Sequence, residues 1–257
     1  MKGIDVSKHN GNINWTAVKA DFAIIRAGYG KAISQKDPQF ESNYAGAKAA
    51  GIPVGAYWYS YALTPAEAEA EAHTFLEAIA GKQFEMPVWF DIEEKNARAT
   101  GKKNVSAIIK AFCTVMERAG YWCGVYASRA HVQSYFDDEC RNRYSLWIAE
   151  WGAKLNYSGE VGMWQYSENG KKDGINGAVD LDECYVDYPS AIKAAGKNGY
   201  TKQDDARVLP YIPEMSASDA HVYLNWIANK GVGNYPDSAD GFAAFLRETY
   251  DGRFKMA

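Results

Sequence analysis

At 257 residues the chain is long enough for one α/β barrel of ordinary size, or for a domain of about 190 residues with a small appendage. Its 28 basic and 32 acidic side chains leave a formal charge of −4 with no basic block, which argues against nucleic acid or an anionic membrane as a partner. No segment approaches the roughly 18 apolar residues of a membrane-spanning helix. The opening MKGIDVS reads as a strand and lacks the apolar core of an export signal. Cys113, Cys123, Cys140 and Cys184 show no C-x-x-C spacing and no neighbouring His pair. No metal and no cofactor is therefore expected, and the thiols are read as free, with one disulfide left open as the alternative.

Residues 2–6 give a first short strand, followed by a polar loop at 8–12 and a brief helix at 14–20. FAIIRA at 22–27 is a second, buried strand. After a Gly-rich loop, Phe40, Tyr44 and Ala47 fall at helical spacing in a helix over 39–50, with Gly51 just past its end. IPVGAYWY at 52–59 is a third strand. Thr64 then caps a helix that runs to residue 80, with Pro65 at its first position and Glu67 completing a capping box. The fourth strand is predicted over 86–92 and a helix over 105–119, with Ile108, Ile109, Phe112, Val115 and Met116 inward. WCGVYA at 122–127 is a fifth strand, followed by a short helix near 130–136. From there LWIA at 146–149, GMWQY at 162–166 and AVDL at 178–181 read as strands joined by loops without helical periodicity. Apolar strands alternating with amphipathic helices predict a parallel sheet, and eight strands predict that it closes as an irregular α/β barrel.

In such a barrel reactive groups lie at the C-terminal ends of the strands. The polar and aromatic residues expected there are Asp5, Tyr57 and Tyr59, Asp91 and Glu93, Tyr126, Trp147 and Glu150, Gln165, and Asp180 with Asp182. Aromatic faces at these places suit stacking on the C–H faces of sugar rings. Asp91 and Glu93 are the sharpest pair. Residues i and i+2 of a strand share a face, about 6.5–7 Å apart, so both carboxyls emerge together with Ile92 turned into packing. Close carboxylates push one pKa up, leaving one acid protonated and the other ionised. Cleavage of a glycosidic bond needs that combination: a proton donor to the leaving oxygen and an anion beside the developing oxocarbenium ion. The scattered His9, His73, His131 and His221 form no H-E-x-x-H, and no G-x-S-x-G elbow is present.

Six segments, GIDVSKHNG, GAYWYSYA, VWFDIE, LWIAEW, WQY and VDLD, resemble in order and spacing the glycoside hydrolase family 25 muramidases, the Chalaropsis-type lysozymes. The resemblance covers roughly residues 1–189. It implies a TIM-like (β/α)5(β)3 barrel that cleaves the β-1,4 bond between N-acetylmuramic acid and N-acetylglucosamine in bacterial peptidoglycan. It also implies that Glu93 is the general acid/base, Asp91 the second carboxylate, and Asp5 and Asp180 the acids of the first and last strands. Tyr57 or Tyr59 matches the third-strand tyrosine near the reacting sugar. The last-strand motif of the family often ends in Asn, where Asp182 stands here. Tyr126, Trp147, Gln165 and Asp182 complete the expected substrate contacts. The family includes many phage endolysins, and the chain looks like one: made in the host cytoplasm without a signal peptide and acting on the cell wall after release.

Glu93, further along the strand toward the cleft, is the expected acid, its pKa raised by ionised Asp91. Asp91 has two possible roles, attack on the anomeric carbon or orientation of the substrate's 2-acetamido group as nucleophile; both retain configuration. Two other readings stand beside this one. A chitinase-like hexosaminidase also uses a strand-end D-x-E, but carries further Asp at alternate positions, where this chain has Trp89 and Pro87. A non-catalytic sugar-binding barrel is expected to lack the acid, and Glu93 is present. Catalytic residues 1–190 are expected to lead into a linker over 191–213. Residues 214–257 carry two amphipathic helical patterns, read as a small wall-binding or oligomerising domain.

Overall fold

The computed structural model describes residues 1–201, whose eight strands close into a barrel in chain order. The strands are β1 (Lys2–Val6), β2 (Phe22–Tyr29), β3 (Val54–Tyr59), β4 (Val88–Asp91), β5 (Cys123–Ser128), β6 (Ser145–Ala149), β7 (Met163–Gly170) and β8 (Val179–Cys184). The helices are α1 (Phe40–Ala49), α2 (Pro65–Ala78), α3 (Lys95–Ala99), α4 (Lys102–Arg118), α5 (Arg129–Tyr135), α6 (Asp138–Arg143) and α7 (Tyr188–Ala195). The first five strands are each followed by a helix or a loop packed outside, and the last three close the ring as expected.

One strand departs from the predicted parallel sheet. β8 runs antiparallel to both neighbours, β7 and β1. The chain passes from β7 to β8 through residues 171–178 without a helix, and a connection that short joins antiparallel neighbours, whereas a parallel return needs a longer crossover. The reversal decides which end of β8 reaches the mouth.

Alternation along the strands builds two packing layers. Phe22, Ile24, Met86, Trp89, Trp147 and Met163 fill the barrel interior. Phe90 points outward and stacks on Phe112 of α4 with ring centres 4.0 Å apart, while Trp58 stacks on Phe75 of α2 at 5.4 Å. The interior rings need room that glycine gives: a Cβ at Gly124 would strike the Trp89 ring, and one at Gly3 the Phe22 ring. Cys113, Cys123, Cys140 and Cys184 are buried free thiols.

Four local expectations are corrected. Residues 14–20 form a turn instead of a helix; Asn14 N–H donates to Gly174 O at 2.8 Å and the Trp15 indole to Asn43 at 3.3 Å, so tertiary partners take groups a helix would pair internally. Thr64 caps α2, but Glu67 takes the Leu63 N–H at 2.9 Å, one residue beyond the cap. The helices α3 and α6 were not anticipated; at five and six residues they are too short to print a period. Lastly, the segment expected as linker from residue 191 instead continues α7 and closes the lower end of the barrel. There Asn198, fully buried, accepts from Trp122 N–H at 2.7 Å and donates to Met86 O at 2.9 Å, and Tyr200 donates to Glu85. The rest of that linker and the expected domain at 214–257 lie outside the described residues.

Asn198 holds φ at +57°, a region that asparagine tolerates better than most residues. Asn198→Ala loses both side-chain bonds, leaves two buried backbone groups unpaired and adds strain, together about 3 kcal/mol. Thermal unfolding should show Tm lower by roughly 10 °C. A fall of under about 2 °C would deny the clamp.

Candidate active site

The upper ends of the strands surround a cavity of about 320 Å³, within the range of small-molecule sites. Asp5 of β1, Tyr57 and Tyr59 of β3, Asp91 of β4, Tyr126 of β5, Trp147 of β6 and Gln165 of β7 all line it, and so does Glu93 just past the end of β4. Tyr57 and Tyr59, two apart on one strand, both face it. Because β8 is reversed, Asp180 enters the cavity from the start of its strand, directly opposite Asp5 in register.

Asp182 is not part of the wall. The reversal carries it one alternation deeper, where it is fully buried and its Oδ1 accepts from the Trp147 indole at 2.9 Å. The expected substrate contact is thus replaced by a contact beneath the floor. Glu150 also stays out of the cavity; it pairs with Arg129 at 2.8 Å and accepts from Asn156, bracing a rim loop.

Two further parts of the wall come from outside the set of strand-end residues. Ser7, His9 and Asn10, in and beside the polar loop after β1 that also offers itself as a lining of the mouth, line the cavity. Ser7 Oγ accepts from His9 N–H and Asn10 Oδ1 from Ser7 N–H, a reciprocal cap that S-x-x-N announces. Arg26 is the second, and the lone charge in FAIIRA was its mark. It lines the cavity and donates through Nε to Asp37 at 2.7 Å, with both side chains largely buried. Asp37 also accepts from Lys8 N–H at 3.1 Å and Gln39 N–H at 2.9 Å, so the guanidinium is held from behind.

Hydrogen bonds order the rest. Gln165 donates to Asp5 Oδ2 at 2.8 Å and accepts from the Tyr126 hydroxyl at 3.0 Å and the Trp151 indole at 3.2 Å. Tyr59 donates to Glu94 at 2.7 Å.

Electrostatics follow from burying this many acids. Burial pushes Asp91 well above the usual carboxylate range, the charge of Glu93 adds to this, and Arg26 opposes it. Glu93 is raised chiefly by burial and then by Glu94, with Arg98 opposing. Asp91 was expected to raise Glu93; the charge repulsion instead presses on Asp91, the deeper group. Asp5 is raised by burial and by Asp182 and Asp180, and Asp180 is pushed up to about 6 by burial. Asp91 Oδ1 is buried without a protein donor. Among the described residues no His, Cys, Asp and Glu grouping is arranged to hold a metal ion. A half-buried acid able to carry a proton, beside a deeper carboxylate with a cation behind it, can serve proton transfer to a leaving oxygen and stabilisation of positive charge.

Known proteins share both chain and fold. An autolytic lysozyme of Clostridium acetobutylicum is 29% identical over 187 residues, which cover 71% of this chain and 55% of that protein; the chain spans about half the length of that relative. The crystal structure of the CTP1L endolysin matches with a TM-score of 0.66 at 28% identity, over 75% of this chain and 69% of that one. The bacterial lysozyme of Streptomyces coelicolor matches at 0.63 and 25% identity, over 76% and 96%. The profile of Glycosyl hydrolases family 25 matches residues 4–175, a stretch that takes in Asp5, Arg26, Asp91, Glu93 and Gln165. The chain belongs to glycosyl hydrolase family 25.

Proposed function

We propose that the barrel is a muramidase of bacterial peptidoglycan, cutting the β-1,4 bond between N-acetylmuramic acid and N-acetylglucosamine with retention. Glu93 protonates the leaving oxygen and later takes a proton from water. Asp91 bears the negative charge beside the anomeric centre. The observation that carries this is the meeting of Asp91 and Glu93 in one sugar-sized cavity, where burial raises the proton affinity of Glu93 and the Arg26 charge opposes protonation of Asp91. The unpartnered Asp91 Oδ1 is an acceptor suited to an acetamido N–H, which favours the route in which the substrate's own acetamido oxygen attacks. Asp5, Asp180, Tyr57, Tyr59, Tyr126, Trp147 and Gln165 shape the wall that holds the sugar. The relatives' printed names, autolytic lysozyme and endolysin, support action on the cell wall, and a phage lytic role fits this reading.

Mass spectrometry of fragments released from purified walls tests the bond cut. Reducing-end muramic acid is the expected product. Reducing-end glucosamine, or no fragments from a folded protein, overturns the assignment.

A further inference from the structure

We infer that Glu71 of α2 is a positioning residue that fixes the rim turn at residues 60–63, and that Tyr61, carried on that turn beside the cavity, is a further contact for the peptidoglycan strand. The inference rests on the muramidase reading for its substrate.

β3 ends at Tyr59 and α2 begins at Pro65. Between them each backbone N–H has a different partner. Ser60 donates to Asp91 O at 2.9 Å, Ala62 to Ser60 Oγ at 3.1 Å, Leu63 to Glu67 Oε2 at 2.9 Å and Tyr61 to Glu71 Oε1 at 2.9 Å. Residues i and i+4 share a helix face, so Glu67 and Glu71 reach back from one side of α2 to alternate residues of the turn. Asn104 of α4 donates to Leu63 O at 2.8 Å. Groups outside the turn thus set its path.

Of these partners Glu71 is the costly one. It is fully buried, on the same helix as buried Ala68, Ala72 and Phe75. Its Oε2 meets no protein donor, and burial pushes the carboxyl up to about 7. A buried acid answered by one hydrogen bond destabilises a packing face, so the packing of α2 does not account for it. The turn it fixes does. That turn presents Tyr61, which is 51% exposed. The Tyr61 ring lies 5.2 Å from that of Tyr59 and 5.9 Å from that of Tyr29. Tyr59 lines the cavity and donates to Glu94, the neighbour of Glu93. Three tyrosine rings therefore continue the cavity wall outward as a shelf, with Tyr61 at its open end. A polymer strand has to leave a cavity of about 320 Å³, and a fixed aromatic face beside the exit suits the C–H face of the next sugar.

Soluble peptidoglycan fragments of several disaccharides are the probe. Tyr61→Ala should raise KM about fivefold with kcat within about twofold and Tm unchanged. Glu71→Gln keeps an acceptor oxygen and should stay near the parent. Glu71→Asp, one methylene shorter, withdraws the acceptor and should raise KM about threefold. Combined with Tyr61→Ala it should add nothing further, because the turn then has no ring to position. Effects that multiply would make Glu71 a residue of the fold in general and overturn its role. A KM for Tyr61→Ala equal to that of the parent would overturn the whole inference. Should Glu71→Asp not fold, hydrogen exchange at the Tyr61 amide decides: slow exchange in the parent and in Glu71→Gln is expected, and unprotected exchange in the parent refutes the hold. If the parent released no fragments, the muramidase reading would fall. Calorimetric binding of the same fragments would then decide the shelf alone, with about fivefold weaker binding by Tyr61→Ala expected and equal binding against it.

Discussion

Glu93→Gln is expected to lower the release of wall fragments by about 10³-fold, almost wholly in kcat. The replacement keeps shape and loses only the proton that moves, so binding of the glycan, and with it KM, should change little. Stability should hold or rise, and the sign follows from the pKa directions. Glu93 and Asp91 both bind protons more tightly in the fold than in the unfolded chain. Their contribution is therefore fully present below the ordinary carboxylate range and is lost as pH rises through the raised values. At neutral pH these acids destabilise the fold. An amide at position 93 removes one of them and also the charge that presses on Asp91. A slow enzyme with an equal or higher Tm is the expected pair of results. Wall lysis within about threefold of the parent would remove Glu93 from the chemistry and overturn its assignment as the general acid.

How much of this was legible in the sequence depends on the length of the signal. The strands β2 to β6 carry apolar runs, and β1, β7 and β8 carry shorter apolar stretches broken by polar residues, so all eight were readable although β7 and β8 run on to Gly170 and Cys184. D-I-E announced itself because period two puts its acids on one face, and Tyr57 and Tyr59 followed the same rule. Asp180 was placed at the mouth for the wrong reason: it was taken for the end of a parallel strand, whereas it begins an antiparallel one. That slip also drew Asp182 into the substrate wall, since the order of residues along β8 carries no mark of its direction. Residues 14–20 and 191–201 were misread because their partners, Gly174, Asn43, Trp122 and Met86, are far away in the chain. Arg26 was visible as a lone charge in an apolar strand, but its partner Asp37 sits in a loop whose return to β2 has no sequence period.

Arg26→Met should show how far that ion pair serves the fold and how far it serves Asp91. The pair is nearly closed to water, so removing the cation leaves Asp37 charged and buried with two backbone donors. Breaking a buried pair from one side costs about 3–5 kcal/mol, a fall in Tm of roughly 10 °C or more. Activity should fall for a second reason. Arg26 is the cation that lowers Asp91; without it the Asp91 pKa climbs further, less of it is ionised near neutrality, and the acid limb of the pH profile moves to higher pH. The two effects separate in a double variant. Arg26→Met with Asp37→Asn removes the stranded charge, so most of the lost stability should return, while the displaced acid limb stays because no cation has come back to Asp91. Arg26→Lys should keep the limb near its original position, since a point charge suffices for the field even where the fork geometry is lost. Were the double variant to regain its acid limb along with its Tm, Arg26 would be a brace for the loop at Asp37 and nothing more, and the ionisation of Asp91 would have to be supported by the substrate itself.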